Sequence, residues 1–157
     1  MLELFTDHGR FDLELVAKGD LEVDDHHTVE DVGLVIGECL AEALGDKAGV
    51  RRFGTSHVPL DEALSRVVVD LSGRPFTVFE VTFPTERVGS FSTELFEDFF
   101  RAVSDRARLT LHVDALRGRN SHHIIETVFK AFGRALAEAC ERTAGSTVVS
   151  TKGTLSE

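Results

Sequence analysis

Apolar positions along the chain fall into two patterns, one with helical spacing and one alternating with period two. Leu2, Leu4 and Phe5 open a short helical stretch that ends at His8-Gly9, since glycine tolerates the left-handed cap. Phe11 to Leu15 alternates apolar and polar, which predicts a strand, and Lys18-Gly19-Asp20 is a turn. Val32, Leu34, Val35, Leu40 and Leu44 predict a helix from Thr28 to about Leu44, stopped by Gly45-Asp46. Arg51-Arg52-Phe53-Gly54 reads as a basic turn, and Val58 to Leu64 fits a helical turn or a loop equally. Val67 to Leu71 is a β-branched strand and Phe76 to Phe83 a second one. With the turn Ser72-Gly73-Arg74-Pro75 between them, they are expected to form a hairpin. Thr93 to Val103 is a helix carrying Phe96, Phe99 and Phe100, Leu109 to Val113 is a strand, and Arg117 to Asn120 is a turn. His122 to about Cys140 is the last helix, and Thr143 to Glu157 is polar and irregular.

These elements repeat. His26-His27 and His122-His123 each precede a Glu, Glu30 and Glu126, three residues after the second His. At the same separation of 96 residues, Val32 matches Val128, Gly37 matches Gly133, and Leu40-Ala41-Glu42-Ala43 matches Leu136-Ala137-Glu138-Ala139. Upstream the separation is 98, pairing Asp7 with Asp105 and Arg10 with Arg108. The expectation is an internal duplication. Its parts are a half-domain at 1–46, a second at 47–142 and a tail at 143–157, packed as one unit. Copy one begins at Met1 in the middle of its first helix, so its opening is expected to be missing.

Composition changes this picture little. With 157 residues, 42% hydrophobic and 28% charged, the chain suits one soluble unit. It carries no signal peptide or membrane span, so a cytoplasmic setting is expected. The net charge of −10 argues against nucleic acid as a partner but allows a small anionic substrate gripped by local cations. Cys39 and Cys140 lack ligand spacing and are expected to be buried thiols.

The His pairs carry the chemistry. On a helix, residues three and four apart share a face, so Glu30 neighbours His26 and His27, and Glu126 neighbours His122 and His123. Adjacent His residues diverge by about 100°, so each pair can serve two different ions. Buried without a ligand, six such polar side chains would all need partners, which makes His-His-x-x-Glu a poor packing motif. Imidazole with carboxylate and no thiolate suits Mn²⁺, Fe²⁺, Co²⁺, Ni²⁺ or catalytic Zn²⁺. Asp24 and Asp25 either orient the imidazoles or cap the helix, the cap being expected for one of them. Arg52 and Arg74 lie in turns where a phosphate could be gripped, and Lys130 sits one turn past Glu126.

Five segments together resemble imidazoleglycerol-phosphate dehydratase of histidine biosynthesis. They are Asp25-His26-His27-Thr28-Val29-Glu30-Asp31, Arg51-Arg52-Phe53-Gly54, Asp70-Leu71-Ser72-Gly73-Arg74-Pro75, Asn120-Ser121-His122-His123-Ile124-Ile125-Glu126 and Ser150-Thr151-Lys152-Gly153. The resemblance covers essentially the whole chain. It implies an α+β fold of two half-domains, each a four-stranded sheet with two helices on one face, like the second domain of ribosomal protein S5. It also implies a homo-oligomer of twenty-four subunits with two Mn²⁺ ions per site formed between subunits, Fe²⁺ or Co²⁺ being alternatives. One ion would take His26, Glu30 and His123, and the other His27, His122 and Glu126. Glu30 and Glu126 would be the metal-bound catalytic carboxylates. Arg52, Arg74, Ser150, Thr151 and Lys152 would hold the phosphate, with His8 and Lys130 near the substrate. Asp98 stands where relatives often carry a His, and it is a candidate ligand. The family's Asp-His-Met motif would put a further His immediately before Met1.

The implied reaction is loss of water from D-erythro-imidazoleglycerol phosphate to give imidazole acetol phosphate, with the metal as Lewis acid and a carboxylate as base. Two other readings compete: a non-catalytic metal-binding or assembly remnant of the family, and a dinuclear hydrolase using the same ligands.

Overall fold

In the computed structural model, residues 1–145 and 147–155 are described, so residues 146, 156 and 157 of the expected tail lie outside the described residues. The elements run α1 (Leu2–Gly9), α2 (His26–Leu44), β1 (Phe53–Leu60), β2 (Ala63–Asp70), β3 (Phe76–Glu80), β4 (Arg87–Val88), β5 (Phe91–Ser92), α3 (Leu95–Ala107), β6 (Thr110–Arg117) and α4 (Ser121–Cys140). The main sheet has the order β1-β2-β6-β3, and β4 and β5 form a small separate ladder. The mixed α+β architecture agrees with the expectation. In residues 47–142 a four-stranded sheet carries α3 and α4, with α1 against α4 and α2 against α3.

The core lies between the sheet and α3–α4. Val67, Val69, Leu111 and Val113 alternate inward from β2 and β6 with no exposure. They meet Phe100 of α3 and Ile125, Val128, Phe132 and Leu136 of α4, all buried. Phe100 stands 5.1 Å from Phe129 and 5.4 Å from Phe132 between ring centres, within aromatic pairing distance.

Glycines set the approach of the helices. A methyl group at Gly37 would come within 2.7 Å of Val103 O and 3.0 Å of Ala107 N on α3. One at Gly133 would strike Phe5 O and lie 3.0 Å from Gly9 N on α1. Phe5 and Gly9 are 98 positions before Val103 and Ala107, and Gly37 is 96 before Gly133, the separations at which the sequence matches itself.

The structure corrects several expectations. Phe11 to Leu15 is not a strand. Its alternation is real, but a strand needs a partner's N–H and C=O groups, and among the described residues none lies alongside. Leu13 and Leu15 are therefore exposed. The expected hairpin of Val67–Leu71 with Phe76–Phe83 does not form, because β6 lies between them, antiparallel to β2 and parallel to β3. The partner of β2 across a tight turn is β1, where Leu60 faces Ala63 around Asp61-Glu62. Sequence reading misses β1 because Gly54, Ser56 and Pro59 are poor strand formers. As an edge strand β1 tolerates Pro59, and it turns Gly54, Ser56 and Val58 onto α4. The first long helix starts at His26 rather than Thr28, with Asp24 Oδ1 accepting from His26 N at 2.8 Å. The left-handed residue ending α1 is Arg10 rather than Gly9. Cys39 is exposed, not buried. Burial does push the Cys140 thiol up to about 11.

Candidate functional site

Two groups of polar residues stand apart in the chain. The first comprises the N-termini of α2 and α4. Asn120 caps α4 from an extended conformation, its side chain accepting from His122 N and His123 N at 2.9 and 3.4 Å. This places both imidazoles in the first turn, with ring centres 6.5 Å apart and planes at 75°, so they face different ways. His122 Nε2 lies 3.1 Å from Glu126 Oε2 one turn on. Lys130, a further turn along, donates to Glu126 Oε1 at 2.6 Å. That bond, together with the charges of Lys130 and His122, holds the Glu126 carboxyl below its ordinary range. His123 Nδ1 lies 2.8 Å from Glu62 Oε2 in the β1–β2 turn. The contact raises the imidazole's pKa and, with backbone N–H groups, lowers Glu62 to about 2.

The start of α2 repeats the arrangement more loosely. His26 and His27 have ring centres 6.0 Å apart with planes at 67°. His26 Nε2 is 3.8 Å from Glu30, and its Nδ1 is 3.4 Å from Asp98 on α3. His27 Nδ1 lies 3.1 Å from Asp20, whose hydrogen bond raises the His27 pKa. The α2 and α4 N-termini both rim an apolar cavity of about 710 Å³, lined by Val29 and Val32 of α2, Phe96 and Phe99 of α3, and His122 and Phe129 of α4. Among the described residues, no cluster of three or more His, Cys, Asp or Glu converges well enough to hold an ion.

The second group is a cavity of about 500 Å³ lined by Arg52, Arg74, Ser150, Thr151 and Lys152, together with parts of the tail. Arg52 has φ 78°. It grips both oxygens of Asp70 (2.7 and 3.1 Å) and donates to Val149 O. Asp70 thus fixes the guanidinium, and Arg52 fixes the tail. The tail docks where Gly73 lies, at φ 78°, since a side chain there would strike the backbone oxygen of Leu155. Five of the seven expected substrate residues therefore meet in one place. His8 lies elsewhere, in a surface cavity of about 420 Å³ with Arg10, Arg51 and Arg134. Lys130 lies on α4 one turn past the His-His-x-x-Glu motif, paired to Glu126.

Sequence reasoning assigned no role to Glu62, Asp20 or Asp70. Glu62 sits in the stretch whose form was ambiguous and Asp20 in an ordinary turn, so neither carries a periodic signal. Asp70 opens the segment Asp70-Leu71-Ser72-Gly73-Arg74-Pro75, adjacent to the turn that bears Arg74.

The family model of imidazoleglycerol-phosphate dehydratase matches residues 1–136. The enzyme of that name from Acetivibrio thermocellus is 58% identical over 99% of this chain and 80% of its own length. That from Thioalkalivibrio sulfidiphilus is 57% identical with the same coverage. The crystal structure of the Staphylococcus aureus dehydratase superposes with a TM-score of 0.85 at 52% identity, over 90% of this chain and 80% of that one. The Pyrococcus furiosus enzyme, in complex with (S)-C348, gives 0.80 at 33% identity, over 98% and 82%. Among the described residues, no helix is long and apolar enough to cross a membrane. The chain belongs to the imidazoleglycerol-phosphate dehydratase family, hydro-lyases of histidine biosynthesis.

Proposed function

We propose that the chain dehydrates D-erythro-imidazoleglycerol phosphate to imidazole acetol phosphate in a metal-dependent reaction. The observation that carries this is the doubled His–Glu arrangement at the starts of α2 and α4. Its donors, imidazole and carboxylate without thiolate, fit Mn²⁺, with Fe²⁺ or Co²⁺ as alternatives. With the residues contributed by more than one copy of the chain, His26, Glu30 and His123, with Asp98 beside His26, would hold one ion, and His27, His122 and Glu126 the other. When bound, such ions supply Lewis acidity toward the substrate's imidazole, easing loss of the proton from the adjacent carbon.

The chain's own residues do the rest. Arg52 and Arg74 offer forked donors to the phosphate, Lys152 a point charge, and Ser150 and Thr151 hydroxyl donors. Lys130 favours the ionised form of Glu126 through its hydrogen bond and charge. Dehydration needs a base for the carbon-bound proton and an acid for the departing hydroxyl. Glu30 and Glu126 are the carboxylates within the two motifs, with Asp98 beside His26, and none of them is singled out as the base.

The two groups cannot serve one substrate within one chain. Arg52 N donates to Ala139 O at the far end of α4. Sixteen residues of helix separate Ala139 from His123, about 24 Å at 1.5 Å per residue. The substrate joins its ring to its phosphate by three carbons. A second copy that brought its cationic cavity to the imidazoles would close this gap, which supports a homo-oligomer. The twenty-four subunits implied by the resemblance are one such assembly.

Purified protein with Mn²⁺ and imidazoleglycerol phosphate should yield imidazole acetol phosphate. Replacing His26 and His122 together with Ala should remove tightly held metal. Release of inorganic phosphate in place of dehydration, or unchanged metal content in the double variant, would overturn the reading.

A further inference from the structure

Glu62 touches neither group of residues assigned above to phosphate or metal, except through one atom of His123. It sits in the two-residue turn between β1 and β2, where Asp61 takes φ 46° and Leu60 faces Ala63. One carboxylate oxygen, Oε1, accepts from the backbone N–H groups of Arg119 and Asn120 at 3.2 and 2.9 Å. The other, Oε2, lies 2.8 Å from His123 Nδ1. Asn120 in turn accepts from His123 N. The backbone of His123 is thus tied to Asn120 and its ring to Glu62, which are bonded to each other, and the carboxylate cannot rotate without giving up its backbone donors. A carboxylate only accepts, so the ring nitrogen facing it must carry hydrogen.

We propose that Glu62 is a positioning residue for His123: it holds the imidazole with its hydrogen on Nδ1 and presents Nε2 as the free donor atom. The inference rests on the reading of His123 as a metal ligand. It supplies what that role requires, because a ligating imidazole needs its second nitrogen held by an acceptor that fixes tautomer and ring angle. A purely structural reading would make Glu62 a clamp on the loop before α4. The two readings separate at Glu62→Gln. The two backbone N–H groups demand the single amide oxygen, so the amide NH₂ would face Nδ1. That variant keeps the clamp and inverts the tautomer.

The test uses metal-free protein labelled with ¹⁵N-histidine and magic-angle-spinning NMR, with His123 assigned by its loss in His123→Gln. At a pH high enough to make the ring neutral, wild type should show the His123 hydrogen on Nδ1, and Glu62→Gln should show it on Nε2. Mn²⁺ titration should then give about 10–100-fold weaker binding for Glu62→Gln and Glu62→Ala, the range for losing such a partner, with the melting temperature of Glu62→Gln close to wild type. Hydrogen on Nε2 in wild type, or an unchanged tautomer in Glu62→Gln, would overturn the proposal. So would Mn²⁺ affinity in both variants within twofold of a wild type that binds the ion. A wild type that binds no Mn²⁺ would instead sink the metal reading, while the tautomer result still decides the role of Glu62.

Discussion

The starts of α2 and α4 carry the same His-His-x-x-Glu motif in unlike surroundings. Around α4, the second His is clamped by Glu62, the Glu is held by Lys130, and the helix buries twelve residues against the sheet, α1 and α3. Around α2, the second His leans on Asp20 from an irregular exposed segment, and only Gly33, Ile36 and Gly37 are buried. Identical side chains are therefore held firmly at one end and loosely at the other. The motif specifies the donor atoms, but their rigidity comes from the layer behind them. Here that layer is a four-stranded sheet for α4 and a single helix, α3, for α2.

Truncations inside the two regions should show the largest contrast. Phe100→Ala removes a fully buried ring between the sheet and α4 and is expected to cost about 3–5 kcal/mol. Val35→Ala on the open face of α2 should stay within about 0.5 kcal/mol, since Val35 is 51% exposed. Urea denaturation measures both. A comparable loss at Val35 would mean that the α2 face is covered in solution and would erase the contrast.

The helix crossings come next. Alanine at Gly133 drives a methyl into Phe5 O, and α4 is pinned to the sheet on its other side, so it cannot slide away. Overpacking of this kind costs about 1–3 kcal/mol. Gly37→Ala meets equivalent atoms of α3 at 2.7 Å, but α2 buries little and can shift. The expected order is Gly133→Ala worse than Gly37→Ala by chemical denaturation. The reverse order would show that α2 is the more tightly held helix.

A smaller difference is expected at the caps. Asn120 Oδ1 serves two backbone donors and Asp24 Oδ1 one. Asn120→Ala should cost about 1 kcal/mol, and Asp24→Ala less. Equal melting temperatures for the two variants would argue that both helix starts are equally constrained.

Much of this was legible in the residues. The His pairs and their Glu partners need only spacing, because helical period is local; the grouping of Arg52, Arg74 and Ser150–Lys152 came only with the family resemblance, since it joins segments far apart in the chain. The helices of the second half were legible too, through Phe96, Phe99 and Phe100. Sheet order was not: β6 pairs with β2 and β3 over distances in sequence that no local period records. Phe11 to Leu15 failed for the same reason, since alternation signals a strand only when a neighbour completes the ladder. Glu62 was invisible because its role is a contact made across 61 residues, from a turn with no signature of its own.

The junction between the two regions offers a test by pH. Lys47 follows α2, at φ 62°, and is buried at 5% exposure with its Nζ donating to Arg108 O at 3.2 Å. Burial, and then the nearby Arg108 charge, hold its pKa below the ordinary 10.5. The unfolded chain therefore binds this proton more tightly than the folded one. Stability should rise with pH through the window below 10.5, as the folded group loses its proton first. Cys140 acts with the opposite sign. Its thiol is raised from 9.0 to about 11, so the unfolded chain loses that proton first and stability falls as pH rises past 9.0. In wild type the two slopes offset each other. Lys47→Met should leave only the fall, and Cys140→Ser only the rise, in denaturation midpoints measured from pH 8 to pH 10.5. Parallel curves for wild type and Lys47→Met would mean that Lys47 is solvated in solution and that the joint between α2 and the sheet is open.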